Sequence, residues 1–261
     1  MPTLPDTHKK FLETALSSLK HDPRILGVAA GGSYLLDELD AYSDLDLVIY
    51  VEAQRYPEVL GSATTIAQQL GSLIECFTGE HVGEPRLLIC LYGPPLLHID
   101  LKFVSLDDIH EKVENPVILW ERDELISSQI FKTPAEFPQP DPTWIESRFW
   151  TWIHYTATKI GRGELFEAVE AIGFLRVNVL GPLVLVKHAA RPQGLRKLEF
   201  IASEEELEDL KKTIPSYDSR DCVRALRSSV DLYRQLRNHS GNVQAERLAL
   251  EYLDQIDVAL V

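Results

Sequence analysis

At 261 residues the chain can bury a substantial core and hold two compact units. Its 45% hydrophobic and 25% charged residues are ordinary for a soluble globular protein. Twenty-six basic against 40 acidic residues leave a net charge of −14, a field that repels DNA and RNA unless basic side chains gather on one face, and that attracts a cationic small molecule.

In chain order, Phe11, Leu12, Ala15, Leu16 and Leu19 recur at helical spacing and predict a helix over Thr7–Lys20, ended by Asp22-Pro23. Ile25 to Ala30 is a short apolar run closed by two glycines, which reads as a buried strand ending in a tight turn. Gly31, Gly32 and Ser33 then place small residues and free backbone N–H groups where a helix, starting at Tyr34 and running to Leu39, is expected; that combination makes an anion pocket. Leu45 to Val51 is a second buried strand with Asp44 and Asp46 at its start. Residues i and i+2 of a strand share a face at about 7 Å, so the two carboxylates repel one another unless a cation sits between them. Mg²⁺ suits that place, since it takes carboxylate oxygens and keeps positions for water and phosphate.

Pro57–Leu73 reads as a helix, with Val59, Leu60, Ala63, Ile66, Ala67 and Leu70 on one side. Two strands follow, Arg86–Tyr92 and Leu96–Val104, and their Gly93-Pro94-Pro95 connection favours an antiparallel pair. In the second, His98, Asp100 and Lys102 face one way and Ile99, Leu101 and Phe103 the other. Taken alone, Asp100 reads equally as a carboxylate on the wet face of an edge strand. Val117–Trp120 is a further short strand that completes a small mixed sheet. Four prolines within 133–142 mark a stiff linker. Beyond it only helices are expected, over Trp144–Ile160, Glu164–Ala190 with a kink at Pro182, Ser203–Lys212 with a capping box, Asp218–Leu236 and Ala245–Ile256.

The ordered set of strand, Gly-Gly-Ser, spacer, Ser-Asp-x-Asp and strand resembles the DNA polymerase β-like nucleotidyltransferase superfamily at Gly32, Ser33, Ser43, Asp44 and Asp46. Many members carry a glycine early in the spacer, where this chain has Leu36 and Asp37. A small α/β unit followed by helices is similar, within that superfamily, to the bacterial aminoglycoside- and lincosamide-type antibiotic nucleotidyltransferases, with Arg162-Gly163-Glu164 as a local echo in the helical half. The resemblance implies an α+β fold: a nucleotidyltransferase catalytic domain over 1–132 with a small mixed β-sheet flanked by helices, the linker over 133–142, and an all-α bundle over 143–261 that walls the acceptor.

It further implies transfer of a nucleoside monophosphate, AMP from ATP by family habit, to a hydroxyl of a small acceptor. Asp44 and Asp46 are then the ligands of two Mg²⁺ ions about 4 Å apart. Gly31, Gly32, Ser33 and Ser43 line the nucleotide's phosphates, and Asp100 matches the superfamily's third acidic residue as metal ligand or as general base. Glu164 is the lower-ranked base, and Lys102 is better placed than Lys159, Arg162 or Lys187 to neutralise pyrophosphate. Two rival readings stand beside this one: a catalytically silent, antitoxin-like binding module, and an enzyme that modifies a protein hydroxyl. Resistance to an actual antibiotic does not follow from the resemblance, and a homodimer is as open as a monomer.

Cys76, Cys90 and Cys222 are odd in number and widely spaced, which suggests neither a disulfide framework nor a zinc site. Lys9 and Lys10 precede no apolar signal-peptide core. Arg176, Asn178 and Lys187 interrupt the most apolar stretch, so no membrane span is expected and the cytoplasm is the expected location. Gly-Lys-Ser/Thr, Gly-x-Gly-x-x-Gly and His-Glu-x-x-His do not occur, and Ser33 is outside any Gly-x-Ser-x-Gly. Arg234 and His239 match a ribonuclease-like Arg-x₄-His spacing that helix ends produce by chance. His154 and His188 are expected as packed or surface residues, and Trp144, Trp150 and Trp152 mostly as core.

Overall fold

The computed structural model describes residues 4–36, 38–238 and 241–260, so Asp37 and His239 lie outside the described residues. The chain divides into two compact units, 1–137 and 138–261.

In the first unit, helix α1 (Asp6–Leu19) buries His8, Phe11, Leu12, Ala15 and Leu19, the stripe that its spacing dictates. Strands β1 (Ile25–Ala30) and β2 (Leu45–Val51) follow, joined through a five-residue 3₁₀ turn, Gly32–Leu36. The expected α-helix over Tyr34–Leu39 is therefore corrected: i→i+3 bonding rarely persists beyond three or four residues, and the chain leaves it at Leu36. The helix expected over Pro57–Leu73 is two, α2 (Tyr56–Gly61) and α3 (Ala63–Gln69). They part at Ser62, whose hydroxyl turns back onto the carbonyls of Glu58 and Val59.

Leu73 itself opens a strand that the pattern did not disclose, β3 (Leu73–Gly79). With β4 (Glu84–Tyr92), β5 (Leu97–Ser105) and β6 (Val117–Glu121) it makes a six-stranded sheet in the order β3-β4-β5-β2-β1-β6. All neighbours are antiparallel except β2 and β5, so the sheet is mixed. Alternation splits β2 and β5 cleanly. Leu45, Leu47, Ile49, Ile99, Leu101 and Phe103 join the core shared with α1, α2 and α3. Ala29, Tyr50 and Val104 pack on the opposite face with Ile109, Ile126 and Ile130, the last from the short helix α4 (Ser127–Ile130).

The described residues of the second unit form helices and no strand: α5 (Pro142–Gly161), α6 (Leu165–Leu175), α7 (Gly181–Lys187), α8 (Leu198–Ile201), α9 (Glu204–Lys212), α10 (Ser219–Leu236) and α11 (Val243–Ala259). Asp141 starts α5 by accepting the N–H groups of Thr143 and Trp144. The irregularity expected at Pro182 is a π-helical segment, Arg176–Leu180, between α6 and α7; proline has no N–H to bond back and its ring crowds the preceding turn, which opens it. From Leu165 to Lys187 this run is long and apolar enough to cross a membrane by length and composition, which corrects the sequence expectation. Within it Ala168, Ile172, Leu175, Val179, Leu180, Val184 and Leu185 are fully buried in the helical core, whereas Phe166, Phe174, Val177 and Val186 are exposed.

Candidate active site

Register builds the acidic site. Parallel pairing of β2 with β5 sets Asp46 directly beside Asp100, while Leu45 and Leu47 beside Ile99 and Leu101 turn into the core. The polar partners therefore share the other face, and Asp44, two residues before Asp46, joins them. Asp44, Asp46 and Asp100 are half-buried, and one carboxylate oxygen from each lies within 4.8 Å of the others. Among the described residues no other trio of His, Cys, Asp or Glu converges this way. Strand β5 lies between β4 and β2, so Asp100 is not on an edge strand. Three hard oxygen donors at this spacing fit Mg²⁺, and without a cation they repel one another.

The start of β2 is fixed from two sides. His8, 1% exposed on α1, donates from Nε2 to the Ser43 carbonyl at 2.8 Å and so anchors the residue before Asp44. Asp40 accepts from the Tyr42 N–H at 2.9 Å and the Ser43 hydroxyl at 3.0 Å, an Asx turn that holds its carboxyl below the ordinary range. Ser43 thus serves the turn that presents Asp44.

The Gly-Gly-Ser segment differs from its sequence reading. The Gly31 N–H donates to the Asp46 carbonyl at 3.0 Å, and the Gly32 N–H donates to Glu114 Oε1 at 2.7 Å. Two of the N–H groups expected to be free are therefore engaged, and no α-helix begins here to supply a dipole. Gly32 has φ +57°, and a Cβ there would overlap the Asp46 carboxylate, so a residue without a side chain is required. Ser33 follows Gly32 in the 3₁₀ turn.

On the same face of β5, the His98 Nε2–H donates to Asp100 Oδ1 at 3.0 Å. Lys102 pairs with Glu84 at 2.6 Å, and Glu84 also takes the Arg86 guanidinium at 2.7 Å. Those contacts, Arg86 first, hold the Glu84 carboxyl down at about 2. Glu164 belongs to the second unit, where Lys159 holds it at 2.7 Å and Arg162 at 3.6 Å. Lys187 pairs with Glu206 at 2.8 Å and His188 with the same carboxylate at 2.6 Å, so both serve the helical unit's own ion pairs. Trp150 is buried, whereas Trp144 is 43% exposed. Sequence reasoning missed His8, His98 as a partner of Asp100, and Glu114. The alternation of β5 pointed at His98; nothing local pointed at Glu114, which lies 82 residues from the N–H that it accepts.

The family model described as "Nucleotidyltransferase domain" matches residues 10–134, just under half of the chain. An aminoglycoside 6-adenyltransferase from Bacillus subtilis shares 16% identity with a TM-score of 0.41, over 95% of this chain and 97% of that one. A nucleotidyltransferase-like protein from Exiguobacterium sibiricum shares 14% with a TM-score of 0.38, over 97% and 87%. A spectinomycin adenyltransferase from Enterococcus faecialis, solved with ATP and spectinomycin, shares 11% with a TM-score of 0.29, over 96% and 99%. No curated protein matches the chain.

Proposed function

With a nucleotidyltransferase domain over residues 10–134 as the premise, we propose that this protein transfers AMP from Mg²⁺–ATP to a hydroxyl of a small acceptor. The observation that carries the reading is the convergence of Asp44, Asp46 and Asp100 within 4.8 Å on adjacent strands, a donor set for a divalent cation beside a glycine turn. The acceptor oxygen forms its bond to the α-phosphorus, the bond to the β-bridging oxygen breaks, and pyrophosphate leaves with that electron pair. Mg²⁺, when bound, offsets the charge that builds on the phosphoryl oxygens.

In this reading Asp44 and Asp46 orient the triphosphate and Asp100 takes the acceptor's proton or completes the metal site. His98 donates to Asp100 Oδ1 and so helps to orient that carboxylate. Asp100 ranks above Glu164 as base because it already stands among the carboxylates, whereas Glu164 is tied to Lys159. Gly32, once its N–H is released from Glu114, and Ser33 receive the phosphate tail, and Lys102 serves the leaving pyrophosphate once released from Glu84. The net charge of −14 favours a cationic acceptor, the chemistry of an aminoglycoside. The test is incubation with α-labelled nucleotides, Mg²⁺ and a panel of aminoglycosides, lincosamides and cell extract. Label transferred to a small molecule with ATP as donor supports the proposal. Label on protein alone, or nucleotide binding without pyrophosphate release, contradicts it.

A further inference from the structure

Glu114 stands where the phosphate tail of a nucleotide is assigned. It precedes β6 in a segment, 109–116, that contains neither strand nor α-helix, and its side chain spans the gap to the Gly31–Gly32 peptide. The 2.7 Å bond from the Gly32 N–H is charge-assisted, and a Cβ on Gly31 would stand 2.5 Å from the same oxygen, so the carboxylate lies over both glycines. A carboxylate oxygen and a phosphate oxygen are both anionic acceptors, and a single N–H serves one of them at a time.

We infer that Glu114 is a specificity-determining residue of the nucleotide subsite, holding the Gly32 N–H until a metal-charged triphosphate takes its place. The inference rests on the nucleotide reading proposed above. Movement of the Glu114 carboxylate off the Gly32 N–H opens that donor to a phosphate oxygen. What enters must then lie beside Asp44, Asp46, Asp100 and the displaced Glu114. A bare triphosphate adds four negative charges to that group, whereas a Mg²⁺-complexed one adds two and brings the cation that the aspartates bind. The resident carboxylate thus raises the threshold for every anion, and metal-free polyphosphates clear it least. Apparent affinity falls by the fraction of molecules in which the N–H is open.

The experiment measures ATP affinity by calorimetry for the parent, Glu114→Ala and Glu114→Gln, each full length, once with Mg²⁺ and once with EDTA. Removal of a charge-assisted competitor is expected to tighten Mg²⁺–ATP binding about tenfold in Glu114→Ala. Metal-free ATP should gain more than that, so the preference for the metal complex narrows. Glu114→Gln keeps an oxygen for the Gly32 N–H without the charge, so it should fall between parent and alanine. Melting temperatures identify folded variants, and the glutamine variant carries the test if the alanine variant is unfolded. Folded variants with parental or weaker affinity and an unchanged metal preference overturn the inference and leave Glu114 as a scaffold for the turn. A parent that binds no Mg²⁺–ATP overturns the nucleotide reading itself, which a parent that binds while its variants stay parental does not.

Discussion

Asp46 carries three jobs at once. Its backbone carbonyl accepts the Gly31 N–H, its carboxylate packs against Gly32, and one oxygen joins Asp44 and Asp100. Asp46→Asn keeps the shape and removes a charge from a repelling group, so the folded chain tolerates it. Mg²⁺ with a non-hydrolysable triphosphate should stabilise the parent by about 2.7 kcal/mol at a concentration about a hundredfold above Kd, and the resulting rise in melting temperature should mostly vanish in Asp46→Asn. An equal rise in the variant removes the aspartates from the metal site. Gly32→Val meets two obstacles, a positive φ that costs a branched residue about 1–2 kcal/mol and the Asp46 carboxylate where its side chain must go. Loss of nucleotide binding with a melting point lowered by several degrees is expected, and retained binding by titration contradicts the turn's role. These residues were legible because strand, glycine turn and paired aspartates form a local ordered pattern. His8 and Glu114 were not, since each acts through a long-range bond to a backbone group and such bonds leave no periodic trace.

At the scale of elements, the buried strands declared themselves because core packing enforces a continuous apolar run in β1 and apolar alternation in β5, with β2 apolar along most of its length. Strand β3 lies at the sheet edge with Ile74 and Phe77 exposed, so its pattern lacks the contrast between faces. The register of β2 against β5 was also hidden, although it is what brings Asp100 to Asp46; parallel neighbours so far apart in the chain share no turn that would set it. Near the open end of β4, the Glu84–Arg86–Lys102 group ties β4 to β5. The Glu84 carboxyl falls from an ordinary 4.5 to about 2 in the folded state, so the unfolded chain takes up its proton first as pH drops. The stabilisation, on the order of 2–3 kcal/mol, is complete above about pH 4.5 and is lost as pH falls toward 2. Urea titrations at pH 6 and pH 3 should show Glu84→Gln losing less stability on acidification than the parent does. Equal losses would mean that the ion group contributes nothing to the acid response.

For the molecule as a whole, charge sets which partners approach. At −14 the chain should bind a cationic acceptor more weakly as salt rises, because screening shortens the field to about 10 Å at 0.1 M. Steady-state kinetics should show the acceptor's KM increasing between 50 and 300 mM KCl, and a salt-independent KM would separate acceptor binding from the overall charge. The central claim, that the three aspartates perform nucleotidyl transfer, is tested most directly at Asp100, which can be neutralised while Asp44 and Asp46 remain. The measurement is the rate of pyrophosphate release by Asp100→Asn beside the parent, at saturating Mg²⁺–ATP and an acceptor found in the screen, with ATP affinity determined for both. The account predicts affinity within a few-fold of the parent and a rate lower by roughly 10² or more, the scale of losing a general base or a ligand that acts in the transition state. A variant that releases pyrophosphate at the parental rate would contradict it.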